Sequence, residues 1–222
     1  VDCVAGGIKI LTQTYHCNAH TVHGTLDMVG GLKKSCNSYF ITMGQRLGVD
    51  NFYKYFEAFG FTEKTGIDLP AETQPKAGVT YHAHEGMTLI DLASSSFGQS
   101  FQVTPIQMVT ALSAIANGGK MMRPRFVKAV SKDGKIIAEY PPEVMRESIC
   151  KPSTLGKIQT ILEKVVSEGL GKKAGSKAFK VAGKTGTAQI SQGAAGYKSG
   201  MVNYLLSFAG YFPADKPRYS CI

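Results

Sequence analysis

The chain has 222 residues, with 25 lysines and arginines against 16 aspartates and glutamates, a formal net charge of +9. That length holds one domain with a real core, in one or two lobes, and no apolar run reaches the ~20 residues of a membrane span, nor is a secretory signal pattern visible. The basic residues are scattered (Lys33-Lys34, Arg123, Arg125, Lys172-Lys173, Lys177) rather than striped between aromatics, which argues against nucleic acid and suits an anionic surface or polymer, or plain solubility.

The chain opens on Val1 and stops at Cys221-Ile222 inside a strand-like pattern, so both ends are expected to lie within a longer protein. Residues 1–24 read as irregular, with a short strand at Ile8 to Leu11. Five cysteines, at 3, 17, 36, 150 and 221, are odd in number and irregularly spaced, which argues against a disulfide framework. Cys3 and Cys17 lie near His16, His20 and His23, a set of sulfur and nitrogen donors suited to zinc. The set lacks a clean paired spacing, so polar loop residues are the plainer reading. No metal or other cofactor is expected.

From Thr25, the apolar residues Val29, Leu32, Cys36, Phe40, Met43 and Leu47 recur at helical spacing. Gly30-Gly31 weakens the middle, which predicts two helices meeting near Ser35. Asp50 is expected to cap a helix bearing a core stripe of Phe52, Phe56 and Phe59, ended by Gly60. Thr65-Gly66-Ile67-Asp68-Leu69-Pro70 reads as an ordered loop. Thr104-Pro105 is a strong helix start, and Asn117-Gly118 closes that helix. Asp133-Gly134 between two apolar runs predicts a hairpin. Ser153 is expected to cap a helix along Leu155, Ile158, Leu162 and Val165, ended by Gly169. Strands are predicted over 179–190 and 202–212, and from Arg218. Helices in the middle and antiparallel strands late give an α+β fold, with a mainly helical lobe over about 25–170 and sheet strands over about 179–222.

Two short segments carry chemistry. Ala182 to Gln189 places Lys184, Thr185 and Thr187 on one strand, with Gly186 leaving the backbone bare for a ligand. Such a strand offers main-chain N–H groups, a cation and hydroxyls to an anionic, amide-bearing ligand. Gly183-Lys184-Thr185 is not a phosphate-binding loop, because the glycine required five positions earlier is Ala178 and no helix is expected to follow. Ser35-Cys36-Asn37, near a helix start, can point a hydroxyl and an amide into one cleft, or can serve as a capping pair.

Ser35-Cys36-Asn37 followed by Lys184-Thr185-Gly186-Thr187 resembles the second and third motifs of the penicillin-recognising serine acyltransferases, Ser-x-x-Lys, Ser-x-Asn and Lys-Thr-Gly. The likeness covers nearly the whole chain. His23-Gly24, Phe59-Gly60-Phe61, Gly66 to Pro70, Ser96-Phe97-Gly98-Gln99, Val103 to Gln107, Ala116 to Gly119 and Ser207 to Asp215 all resemble, in order, the transpeptidase domain of class B penicillin-binding proteins.

The resemblance implies one partial transpeptidase domain over residues 1–222, with a β-lactamase-like antiparallel sheet flanked by helices. It implies a D,D-transpeptidase that crosslinks peptidoglycan stem peptides through a serine acyl-enzyme. Ser35 would relay a proton and hydrogen-bond to Lys184, and Asn37 would hold the donor's amide carbonyl. Thr185 and Thr187 would bind the terminal carboxylate, and the Thr187 N–H would form half of an oxyanion hole. A side chain at Gly186 would push the substrate off the strand. Ligands would be D-Ala–D-Ala stems and β-lactams, with a membrane glycosyltransferase and the cell-wall machinery as partners at the extracytoplasmic face of a bacterial membrane.

One family element has no counterpart. Nothing in residues 1–34 fits Ser-x-x-Lys, and Ser148-Ile149-Cys150-Lys151 matches by letters only, between the other two motifs. The resemblance therefore implies that the nucleophile lies before Val1 and that these residues alone form no acyl-enzyme. A non-catalytic β-lactam sensor, or a hydrolase of carboxypeptidase or β-lactamase type, is the alternative.

Overall fold

The computed structural model describes residues 1–191 and 203–222; the glycine-rich stretch from Gly193 to Gly200 lies outside them. Four short strands, β1 (Asp2–Cys3), β2 (Ile8–Ile10), β3 (Gln13–Tyr15) and β4 (Gly24–Thr25), pair antiparallel as β1 with β4 and β2 with β3. The opening region is thus more ordered than its sequence suggests.

The two predicted helices flanking Ser35 are α1 (Met28–Lys33) and α2 (Asn37–Ala58). Asp27 starts α1 by accepting a hydrogen bond from the Gly30 N–H at 2.7 Å. Helix α2 is broken at Gly48, where φ is 77°. The break thus falls two residues before Asp50, which sits inside the following helical stretch rather than capping it; glycine alone takes this φ at little cost. The phenylalanine stripe is core, as expected. Phe56 is buried, stacks with Phe52 and packs against Phe61 and Phe101.

Helix α3 (Leu89–Ser96) was not predicted; Thr88 and Asp91 form its capping box. It packs on α2 where Gly44, lacking a Cβ, admits the Ser96 side chain. Helix α4 (Pro105–Ala116) starts as predicted, with Thr104 as cap, Pro105 in the first turn and Gln107 completing the box. The Gln107 amide also donates to the Glu63 carbonyl at 2.9 Å, tying α4 to the loop after α2.

Strand β5 (Met121–Met122) is followed by the predicted hairpin of β6 (Ala129–Lys132) and β7 (Lys135–Glu139), turned by Asp133 and Gly134, both at positive φ. Strand β8 (Val144–Arg146) returns to pair with β5. The Gly66 to Pro70 loop is ordered by carboxylates: Asp68 accepts the N–H groups of Phe126 and Val127, and Glu72 accepts those of Thr65 and Gly66.

Helix α5 (Pro152–Ser167) has Lys151, not Ser153, at its cap position. Pro152 fixes the first helical residue and so moves the boundary two residues earlier than the serine implies. Strands β9 (Ala182–Gln189), β10 (Tyr204–Phe212) and β11 (Tyr219–Cys221) form an antiparallel sheet in the order β11-β10-β9. Residues 179–181, predicted as strand, precede β9. There the Phe179 ring stacks on Phe212 and the Lys180 carbonyl accepts the Ala214 N–H, so the chain is held outside the ladder.

Helix α5 packs on β9 and α4 on β10. Leu112, Leu162, Ala182 and Tyr211 form the buried core between helices and sheet, where each large apolar side chain contributes roughly 1.5–3 kcal/mol. The architecture is the α+β arrangement expected.

Candidate active site

Alternation along β9 sorts its side chains. Ala182, Lys184 and Gly186 share one face, and Thr185 and Thr187 the other. Ala182 lies in the core under α4 and α5, so Lys184 leaves the sheet on the helix-covered side. Its ammonium donates to the Ser35 hydroxyl at 2.7 Å and to the Thr185 carbonyl at 2.7 Å, with the Thr185 hydroxyl 3.4 Å away. No carboxylate pairs with Lys184 among the described residues. Burial therefore acts unopposed and pushes its pKa down to about 8.

Ser35 sits in the turn that ends α1. Its N–H donates to the Leu32 carbonyl, and the Cys36 N–H to the Gly31 carbonyl. These are the paired bonds of a Schellman motif, with Ser35 at the left-handed position that usually holds glycine. Its φ is 51°. A side chain there is strained by about 1–2 kcal/mol, and the turn's hydrogen bonds hold it in that conformation with the hydroxyl against Lys184. Asn37 begins α2, and its amide nitrogen donates to the His16 carbonyl at 2.9 Å. That bond uses one of its two N–H groups and leaves the other and the carbonyl oxygen for a ligand.

The backbone of β9 alternates as well. Even positions pair towards β10, as the Ile190 N–H donating to Asn203 shows. Odd positions face the free edge. At Gln189 that edge is occupied, because the Gln99 side chain accepts its N–H at 3.3 Å and donates to its carbonyl at 2.7 Å. The Thr185 carbonyl is taken by Lys184. The Thr187 N–H points to the same free edge.

The structure thus brings Ser35 and Lys184 into contact across 149 positions of sequence, with Thr185 alongside and Asn37 two residues from Ser35. Thr185 and Thr187 leave β9 on the face opposite Lys184, but the lysine ammonium reaches round the strand edge to within 3.4 Å of the Thr185 hydroxyl. Gly186 also has a constraint within the protein. A Cβ there would collide first with the Ser207 hydroxyl, which lies across from it on β10. Ser148 donates to the Cys150 carbonyl at 2.8 Å and has no hydrogen bond to Ser35 or Lys184.

Sequence reasoning did not identify Gln99 as the group that closes the β9 edge, nor Ser207 as the constraint on Gly186. Both depend on register. Of the candidate metal ligands, Cys3, Cys17 and His23 converge and Cys36 joins them. His20 does not; its ring lies against His16, centroids 4.5 Å apart.

A family model described as the penicillin binding protein transpeptidase domain matches residues 6–222. Stage V sporulation protein D of Bacillus subtilis is 36% identical over 199 residues, covering 88% of this chain and 29% of that protein. Peptidoglycan D,D-transpeptidase MrdA of Acinetobacter baumannii is 29% identical over 209 residues, covering 89% and 31%. Penicillin-binding protein 3 of Mycobacterium tuberculosis, solved with aztreonam, superposes with a TM-score of 0.84 at 29% identity, covering 99% of this chain and 49% of that one. The chain spans less than a third of these two curated relatives and about half of the solved structure. With the match running across nearly every residue described, this chain belongs to the penicillin-binding protein transpeptidase domain family, in its class B branch.

Proposed function

We propose that these residues form the ligand-gripping wall of a peptidoglycan D,D-transpeptidase. The observation that carries the reading is the 2.7 Å bond from Lys184 to Ser35, two groups brought together from opposite ends of the chain. A serine preceding Val1 attacks the D-Ala–D-Ala amide of a stem peptide, with a neighbouring lysine taking its proton. Ser35 passes a proton towards the departing D-alanine amine, and Lys184 holds Ser35 in place and adds positive potential. Asn37 donates its free N–H to the donor's amide carbonyl. Thr185 and Thr187 hydroxyls take the terminal carboxylate, and the edge-facing Thr187 N–H stabilises the oxyanion, a contribution of about 3 kcal/mol. An amine from a second stem then attacks the ester. β-Lactams enter the same slot. The whole protein works at the extracytoplasmic face of a bacterial membrane, beside a glycosyltransferase.

The test uses the full-length protein with a labelled penicillin, read by peptide mass mapping. The adduct is expected on a serine outside these 222 residues. Ser35→Ala and Lys184→Ala are each expected to slow acylation about 100-fold or more. An adduct on Ser148, or undiminished acylation in both variants, would overturn the reading. Amine acceptors competing with water for the acyl group separate a transpeptidase from a hydrolase.

A further inference from the structure

We propose that Cys3, Cys17, His23 and Cys36 form a tetrahedral zinc site that locks the Ser35–Asn37 turn in place. The four residues come from four segments: β1, the stretch after β3, the approach to β4, and the turn between α1 and α2. Their ligand atoms all lie within 4.8 Å of one another. The Sγ atoms of Cys3 and Cys17 are 3.6 Å apart, as are those of Cys17 and Cys36, and the Cys3 Sγ is 3.6 Å from the His23 Nδ1. Zinc bonds of about 2.3 Å to sulfur and 2.0–2.1 Å to nitrogen set tetrahedral edges of about 3.8 Å for S···S and 3.6 Å for S···N. The observed spacings match those edges. They are far too long for a disulfide, whose S–S bond is about 2.05 Å, and all five cysteines are free.

Two further observations favour a metal over a cluster of thiols packed as small hydrophobes. The first is the poverty of the opening segment. Among residues 1–26 only Cys3, Cys17 and Leu26 are buried. Two-residue and three-residue strand pairs with so few apolar anchors need a crosslink to hold a fixed position. The second is Ser38, only 2% exposed, whose hydroxyl has no hydrogen-bond partner. It sits within reach of Cys3. A zinc-bound thiolate supplies the acceptor this hydroxyl lacks, which is how groups around metal ligands are commonly satisfied.

The position of Cys36 links the site to the cleft. It lies between Ser35 and Asn37, and His16, whose carbonyl holds Asn37, precedes Cys17. A metal fixing Cys17 and Cys36 therefore fixes both polar groups of the turn; this consequence rests on the proposed acyl-transfer role, while the metal site does not. His23, half-buried on the rim, is the ligand whose replacement disturbs the core least.

The test uses full-length protein purified anaerobically without chelator, with metal content measured by mass spectrometry. About one zinc per chain is expected, and cobalt exchanged for it should give tetrahedral d–d bands with thiolate charge transfer. Cys3, Cys17 and Cys36 should resist alkylation until a chelator is added. His23→Ala should weaken zinc binding about 100-fold or more, since even groups beyond the ligands matter 10–100-fold, and His23→Cys should restore it. Lys184→Ala should keep its zinc while losing acylation, which separates failure of the metal site from failure of the catalytic reading. Metal-free protein with all three thiols open to alkylation, a disulfide between any two of them, or full zinc in both His23→Ala and Cys17→Ala would overturn the proposal.

Discussion

Ser35 combines a left-handed turn position with a hydroxyl bonded to Lys184, and the two properties can be separated by comparing Ser35→Gly with Ser35→Ala. Both variants remove the hydroxyl and its bond from Lys184, so that loss cancels between them. What remains is the backbone. A Cβ at φ 51° costs about 1–2 kcal/mol, and glycine relieves it. Glycine also loosens the unfolded chain, which returns roughly 0.4–1 kcal/mol. The difference leaves Ser35→Gly more stable than Ser35→Ala by about 0.5–1 kcal/mol. Denaturant unfolding of the whole transpeptidase domain reads that difference, and penicillin acylation, scored in parallel, should be equally poor in both. Ser35→Ala equal to or more stable than Ser35→Gly would refute the strain argument. Acylation intact in either variant would refute the role of the hydroxyl.

Burial sets Lys184 to titrate near pH 8 rather than at its usual value near 10.5. Its positive charge is therefore full below that point and lost as pH rises through it, so the second-order acylation rate with a carboxylate-bearing β-lactam should fall about tenfold between pH 7 and pH 9. Lys184→Arg, charged throughout, should be slower but lack that descending limb; the same limb persisting in Lys184→Arg would assign it to another group. At Gly186, alanine should destabilise the domain by about 1–3 kcal/mol through its clash with Ser207. Gly186→Ala combined with Ser207→Ala should recover most of that loss in thermal unfolding, because the remaining Ser207 Cβ lies at an ordinary contact distance of 3.8 Å. No recovery would show that Ser207 is not the obstacle.

Local chemistry was legible where it was strong. Thr104-Pro105-Ile106-Gln107 carries cap, proline and box partner in four residues, and its helix starts where they say. Asp133-Gly134 specified a hairpin because both residues tolerate positive φ. Helix α3 was missed although Thr88 and Asp91 carry a box, because eight residues give too few turns for periodicity to register. Ser153 misled because the proline before it already fixed the helix start. The juxtaposition of Ser35 with Lys184 was readable only through family likeness, since spacing carries no information about contacts 149 residues apart. Cys36 hid inside the Ser-x-Asn pattern, where the middle residue has no required identity. Its alignment with Cys3, Cys17 and His23 depends on how four loops fold over one another.

Strand β9 is the last strand on its side of the three-stranded sheet among the described residues. An unpaired margin of this kind accepts an extended peptide as one more rung-bearing neighbour. Gln99 stops that invitation at Gln189 by imitating a peptide unit, and the Lys184 ammonium does the same at the Thr185 carbonyl. Between these two stoppers only the main chain around Thr187 stays open. A visiting chain can add a single residue's worth of ladder there and must then bend away, so the margin measures the guest and at the same time denies other sheets a long seam on which to aggregate.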